Sequence, residues 1–166
     1  AHTAVSLLDA GHEVVLLDDL SGTSAVAAQC VERITGKSAP LVVGNAADDE
    51  VVESAFADHG PIDAIIHFAA FKAVGESTQK PLEYYANNLD TTFALLRVGL
   101  AHGIRSFVFS STGTVYSDPA DLPFTEESTT SVDLSNAYSK SKRMNEVVLA
   151  DVARVNPDVN VTVLRY

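Results

Sequence analysis

Ala64-Ile65-Ile66-His67-Phe68, then Pro81 to His102, then Ser106-Phe107-Val108-Phe109 form the stretch that decides the fold. A short apolar run, a long helical segment and a second short apolar run describe a strand, a crossover helix and a strand. Proline suits the first helical position because its missing N–H has no partner there, and Gly103 suits the position just past the end. Apolar runs without alternation are what parallel strands covered on both faces require. Working outward, Val14-Val15-Leu16-Leu17, Leu41-Val42-Val43 and Val161-Thr162-Val163-Leu164 repeat the strand signal, while Val51 to Asp58 and Asn136 to Val155 read as helices. Strands alternating with helices imply right-handed crossovers and an α/β fold with a doubly wound parallel sheet. Ala1 to Ala10 reads as the body of a helix, with Ala4, Val5, Leu7 and Leu8 on its apolar stripe and Gly11 ending it. Such a fold opens with a strand and a glycine-rich turn ahead of that helix. Neither Gly-x-Gly-x-x-Gly nor Gly-x-x-Gly-x-x-Gly occurs, and Leu164-Arg165-Tyr166 follows directly on a strand. The expectation is a partial domain over residues 1–166, lacking its first strand and glycine-rich turn.

Composition narrows the function. The 166 residues are 46% hydrophobic and 20% charged, a globular composition long enough for one core. A net charge of -11 leaves no basic face for nucleic acid. No apolar run spans a bilayer and no basic, then hydrophobic, leader opens the sequence. The single cysteine, Cys30, fits a reducing compartment, and a cytoplasmic location is expected. No Cys/His cluster has metal-ligand spacing, so no metal is expected.

The chemistry concentrates in Tyr138-Ser139-Lys140-Ser141-Lys142 and in the hydroxyl run Ser110-Ser111-Thr112 that closes an apolar strand. Residues four apart share a helix face. A lysine ammonium one turn from a phenol favours the phenolate, which makes a usable base near neutral pH. Taken alone, the pair also fits a surface tyrosine on a lysine-rich helix. Between the two motifs, Ser117 to Asp133 is polar, with Pro119, Pro123 and the acids Asp118, Asp121, Glu126 and Glu127, and reads as a long loop over a site. His67 sits inside an apolar run and reads as a packed strand histidine.

Several longer blocks carry a resemblance. They are Gly11 to Leu20, Ile65 to Ser77 (with Lys72-Ala73-Val74-Gly75-Glu76-Ser77), Lys80 to Asn88, Phe109 to Tyr116, Tyr138 to Lys142 and Leu164-Arg165-Tyr166. In order and spacing the chain resembles the extended short-chain dehydrogenases/reductases and, within them, the UDP-glucose 4-epimerase family. A Tyr-x-x-x-Lys alone marks only the superfamily; the Lys72–Ser77 and Lys80–Asn88 blocks are the specific ones.

The resemblance implies a Rossmann-like NAD-binding fold and assigns the residues. Asp18, at a strand end, would take the adenosine ribose hydroxyls and repel a 2′-phosphate, which selects NAD. Position alone leaves Asp18 and Asp19 equal. Asp19, Leu20, Ser21, Gly22 and Thr23 would line the adenosine. Asn45 and Ala46 follow the next strand, where the family usually has an aspartate on the adenine amino group. Phe68, Ala69 and Ala70 close another strand, and small residues there let a cofactor approach. Lys72 would donate to the ribose or phosphate region and Asn87 matches a cofactor-contacting asparagine; the plain alternatives are a solvated lysine and a helix-surface amide. Thr112 takes the place of the family's catalytic serine, with Ser111 and Thr114 as neighbours able to fill the role. Gly113-Thr114 replaces the Asp-Glu pair of the related dehydratases, which disfavours dehydration.

The implied activity is inversion at C4 of UDP-glucose and UDP-galactose by transient oxidation. Tyr138 would be the base, Lys142 would hold the phenolate and the nicotinamide ribose, and Thr112 would position the sugar hydroxyl. The resemblance implies a homodimer of the parent protein, since similar epimerases pair through the helices that match Pro81–His102 and Asn136–Val155. Two other readings remain: another NAD-dependent sugar-nucleotide epimerase or decarboxylase, and an inactive truncated binding module. Asn45, Ser117 and Ser139 depart from the family pattern and lend the latter its weight.

Overall fold

The structure, a computed structural model, describes residues 1–117 and 121–166. Asp118 and Pro119, part of the expected loop, lie outside the described residues. The chain divides into two compact units, Ala1–Pro61 and Ile62–Tyr166.

The first unit runs α1 (His2–Asp9), β1 (Leu16–Asp18), α2 (Val26–Thr35), β2 (Leu41–Val43) and α3 (Asp49–His59). Gly11 follows α1 with φ 92, the left-handed conformation that glycine adopts without strain. β1 and β2 pair in parallel, Leu16 opposite Leu41 and Asp18 opposite Val43. The first strand was expected over Val14–Leu17 but begins at Leu16, whose N–H donates to Pro40 O at 2.8 Å. Proline has no N–H to return, so the ladder cannot extend back to Val14 and Val15. Ala4, Leu8, Val31 and Ala39 form the core of this unit, with Val5, Val14 and Leu16 packed on it. Sequence reading did not find α2, whose Gly36 C-cap lies at φ 67.

The second unit runs β3 (Ala64–His67), α4 (Val74–Gln79), α5 (Pro81–Ala101), β4 (Ser106–Ser110), a short 3-10 turn (Gly113–Val115), α6 (Ala137–Val155) and β5 (Asn160–Leu164). Its sheet is parallel throughout in the order β3-β4-β5, with His67 opposite Phe109 and Ser110 opposite Leu164. Phe107 and Phe109 on the central strand are fully buried, as is Leu149 of α6. Gly99 lets α5 approach: a Cβ there would sit 2.9 Å from Ile104 Cδ1 and from Ile65 Cδ1. Along β5 exposed and half-buried residues alternate. The short helix α4 was also missed from sequence. No described helix is long and apolar enough to cross a membrane.

Candidate functional site

Parallel strands converge their carboxyl ends on one edge, the place where ligands of such sheets bind. At that edge of β3 and β4 lies a cavity of about 290 Å³ lined by Phe68, Ala70, Lys72, Ser110, Ser111, Tyr138, Lys142 and Tyr166. A larger hollow of about 500 Å³ opens at the amino-terminal edge of β4 and β5, lined by Leu100, Arg105, Asp158 and neighbours. It holds none of the residues singled out from sequence.

Asn136 sets the geometry of α6. Its extended backbone and its Oδ1, which accepts from Ser139 N at 2.8 Å, cap the helix start. Tyr138 therefore sits in the first turn and Lys142 one turn deeper, on the same face. Lys142 is 3% exposed. Its Nζ donates to Ser110 O at 2.7 Å and stands 4.7 Å from the centroid of the Phe109 ring. Burial pushes its pKa down to about 8, because the charged form loses its water. Lys142 is thus charged at pH 7 and can release its proton just above. The ammonium's hydrogen bond goes to the strand end rather than to the Tyr138 hydroxyl. His67 lies beneath, 2% exposed, with Nε2 2.9 Å from Thr92 Oγ1. Burial, and then the charge of Lys142, drive its pKa down to about 3, so it is neutral. It packs against Phe107 and Phe109 at 6.0 and 5.4 Å, as a strand histidine should.

The hydroxyl run divides its tasks. Ser110 ends β4 and lines the cavity through the segment that Lys142 grips. Ser111 donates its hydroxyl hydrogen to Glu146 Oε1. Thr112 caps the 3-10 turn, with Oγ1 accepting from Thr114 N at 3.2 Å. Thr114 Oγ1 in turn lies 3.1 Å from Thr112 Oγ1 and 2.7 Å from Ser139 Oγ. Thr112 is 6% exposed and stands beside the cavity rather than among its lining residues.

Sequence reasoning named Asn87 but not its neighbour. Asn87 Nδ2 donates to Asn88 Oδ1 at 3.0 Å. Asn88, 1% exposed, accepts from Phe71 N at 2.8 Å and donates to Phe71 O at 3.0 Å and to Ser141 Oγ at 2.9 Å. It therefore ties the loop carrying Lys72 to the helix carrying Tyr138 and Lys142. Glu146, 5% exposed on α6, also escaped notice; besides Ser111 it accepts from Arg165 Nε and Nη2 at 3.0 and 2.8 Å and from Arg143 Nη1 at 3.2 Å. A polar residue at helical spacing between apolar ones was the only available signal for either.

The first unit holds the other predicted positions. Asp18 ends β1 half-buried, and its Oδ1 accepts from Leu20 N at 2.8 Å. Asp19 is exposed; its carboxylate accepts from Ser21 Oγ at 2.7 Å and Ser21 N at 2.9 Å, bonds that hold its pKa below the ordinary value. Leu20 takes φ 60, and Ser21, Gly22 and Thr23 follow as an exposed turn. Asn45 folds back to accept from Ala47 N at 2.9 Å, and Ala46 is buried.

The NAD dependent epimerase/dehydratase family matches residues 1–166. The chain belongs to this family. It is 43% identical over 166 residues to a UDP-glucose 4-epimerase of Haemophilus influenzae, covering 100% of the chain and 48% of that protein. A UDP-glucose 4-epimerase of Caenorhabditis elegans is 39% identical over 174 residues, with 100% and 50% covered. Among solved structures, UDP-glucose 4-epimerase from Bifidobacterium longum in complex with NAD+ and UDP superposes with a TM-score of 0.95 at 43% identity, over 99% of this chain and 49% of that one. The chain thus spans about half the length of the relatives it matches. Its fold is the Rossmann-like α/β fold of these epimerases. Of the residues read from sequence, Ser110, Ser111, Tyr138 and Lys142 line one cavity, and Thr112 stands beside it.

Proposed function

We propose that this chain supplies the cofactor-binding half of an NAD-dependent UDP-glucose 4-epimerase. One observation carries the reading: Tyr138, Lys142 and the Ser110–Ser111 strand end line one cavity, in a chain whose relatives at about 40% identity bear that name.

The donor set suits a dinucleotide. Phe68 is 49% exposed and offers a flat apolar wall, Ala70 leaves room beside it, and Lys72 and Lys142 place two amines where an anionic ligand would lie. In the first unit, Asp18 and the exposed turn 19–23 suit the ribose and adenosine. Asn45 keeps a carbonyl acceptor for the adenine amino group, Ala46 packs behind it, and exposed Ala69 leaves the backbone accessible. NAD, when bound, supplies a hydride acceptor and donor at C4 of the sugar. Tyr138 removes the proton of the 4-hydroxyl and returns it when the 4-keto sugar presents its other face. Lys142 stabilises negative charge on the Tyr138 oxygen and holds the nicotinamide ribose. Thr112 orients the sugar hydroxyl, and Asn87 holds the cofactor side. Two copies would pair through α5 and α6, which native mass measurement checks.

The test is conversion of UDP-galactose to UDP-glucose by the complete gene product. Tyr138→Phe should lower turnover on the order of 10²- to 10⁴-fold. Undiminished turnover removes the proton-transfer role, and carbon dioxide release from UDP-glucuronate supports a decarboxylase instead.

A further inference from the structure

A hydroxyl has one hydrogen to give and two lone pairs to accept with. Ser111 gives its hydrogen to Glu146, so toward a ligand in the cavity it can only accept. Its backbone N–H is committed as well, to Leu164 O at 2.8 Å. Glu146 is saturated by donors: Ser111, both nitrogens of the Arg165 fork, and Arg143. Arg165 is held in turn against the Tyr116 ring, 5.2 Å from its centroid. By contrast Thr112, Thr114 and Ser139 form a chain of hydroxyls at 3.1 and 2.7 Å in which either member of each pair can donate. A hydrogen that can change partners is thus available at Thr112 and is not available at Ser111.

We propose that Glu146 is a positioning residue of this site: by taking the hydroxyl hydrogen of Ser111 it fixes the strand end that carries Thr112, and leaves Thr112 to exchange a proton with the ligand. This rests on the epimerase reading and removes Ser111 from the proton path. A buried carboxylate ringed by two guanidiniums also braces a helix against a strand, so stability alone does not test the role. The separating readout is turnover against KM.

The experiment measures UDP-galactose epimerisation by the complete gene product and its Glu146→Gln, Ser111→Ala and Ser111→Thr variants. Loosening the strand end should lower kcat on the order of ten-fold for Glu146→Gln and Ser111→Ala, with KM nearly unchanged. The double variant should be no slower than the slower single, because both act through one contact. Ser111→Thr should restore turnover. A folded Glu146→Gln with wild-type kcat, or additive losses, overturns the inference. If Glu146→Gln does not fold, Ser111→Ala decides, since the carboxylate keeps both arginines: wild-type kcat, or a loss larger than that of Thr112→Val, overturns it. An inactive wild type overturns the epimerase reading and this inference together. An active wild type, a dead Tyr138→Phe and a fully active Ser111→Ala overturn this inference alone.

Discussion

Replacing Lys142 with methionine removes a buried ammonium and leaves a side chain of similar length. The folded pKa of about 8 against the ordinary 10.5 sets the scale. At about 1.36 kcal/mol per unit, burying the charged form costs the fold about 3 kcal/mol at neutral pH. Methionine is free of that cost. It loses a charged hydrogen bond to Ser110 O, about 1.5–3 kcal/mol, and the approach to Phe109, about 0.5–2 kcal/mol. The two sides nearly cancel, so Lys142→Met should melt close to wild type at pH 7 while losing most turnover. The pH dependence separates the parts. Between pH 8 and 10.5 the unfolded chain holds the Lys142 proton and the folded chain releases it, so wild-type stability rises with pH across that window. The variant lacks this rise. Against Lys142→Met, wild type should gain about 3 kcal/mol, or roughly 6–12 °C in Tm for a protein of this size. Calorimetry of both proteins at intervals from pH 7 to 10.5 measures the difference, and groups common to both cancel. A difference that stays flat refutes the burial of a charged amine at the strand end. In activity, the variant's optimum should also move to higher pH.

His67 gives the opposite window. Its folded pKa of about 3 lies below the ordinary 6.5, so the unfolded chain binds more protons between those values and stability falls as pH falls through them. Urea unfolding at pH 7 and pH 4 should show a loss of about 3 kcal/mol in wild type that His67→Phe lessens. Asn136→Ala removes the cap on Ser139 N and should cost about 1 kcal/mol, with faster amide exchange confined to the first turn of α6. Because Tyr138 stands in that turn, kcat should fall more than stability suggests.

Much of this was legible because local signals agreed with tertiary ones. Proline at the start of α5 and glycine beyond its end bounded a helix that the structure places at Pro81–Ala101. The helix expected over Asn136–Val155 is α6, Ala137–Val155, and the structure shows Asn136 capping it. The strand starting at Leu16 was misjudged by two residues, since hydropathy says nothing about which partner lacks an N–H. Helix α2 went unseen because Ala25 gives its start no capping side chain and its end is closed by a backbone bond of Gly36. The Tyr138 and Lys142 pair was readable as a helical face. What the spacing did not tell was the direction of the ammonium, which the carbonyl at the end of β4 decides. Asn88 and Glu146 were invisible for a related reason: a polar side chain on a buried helix face reveals its purpose only when its partners, Phe71 and Ser141 or Ser111 and Arg165, arrive from elsewhere in the chain.

The grip of Asn88 has a mechanical corollary. One amide clasps the main chain at Phe71 and, through Ser141, the carbonyl of Tyr138 at 2.8 Å. The loop that carries Lys72 and the first turn of α6 are therefore stitched to a common peg and shift as a single piece. Accommodation of a bulkier guest has to come from the other wall, where Phe68 stands 49% exposed.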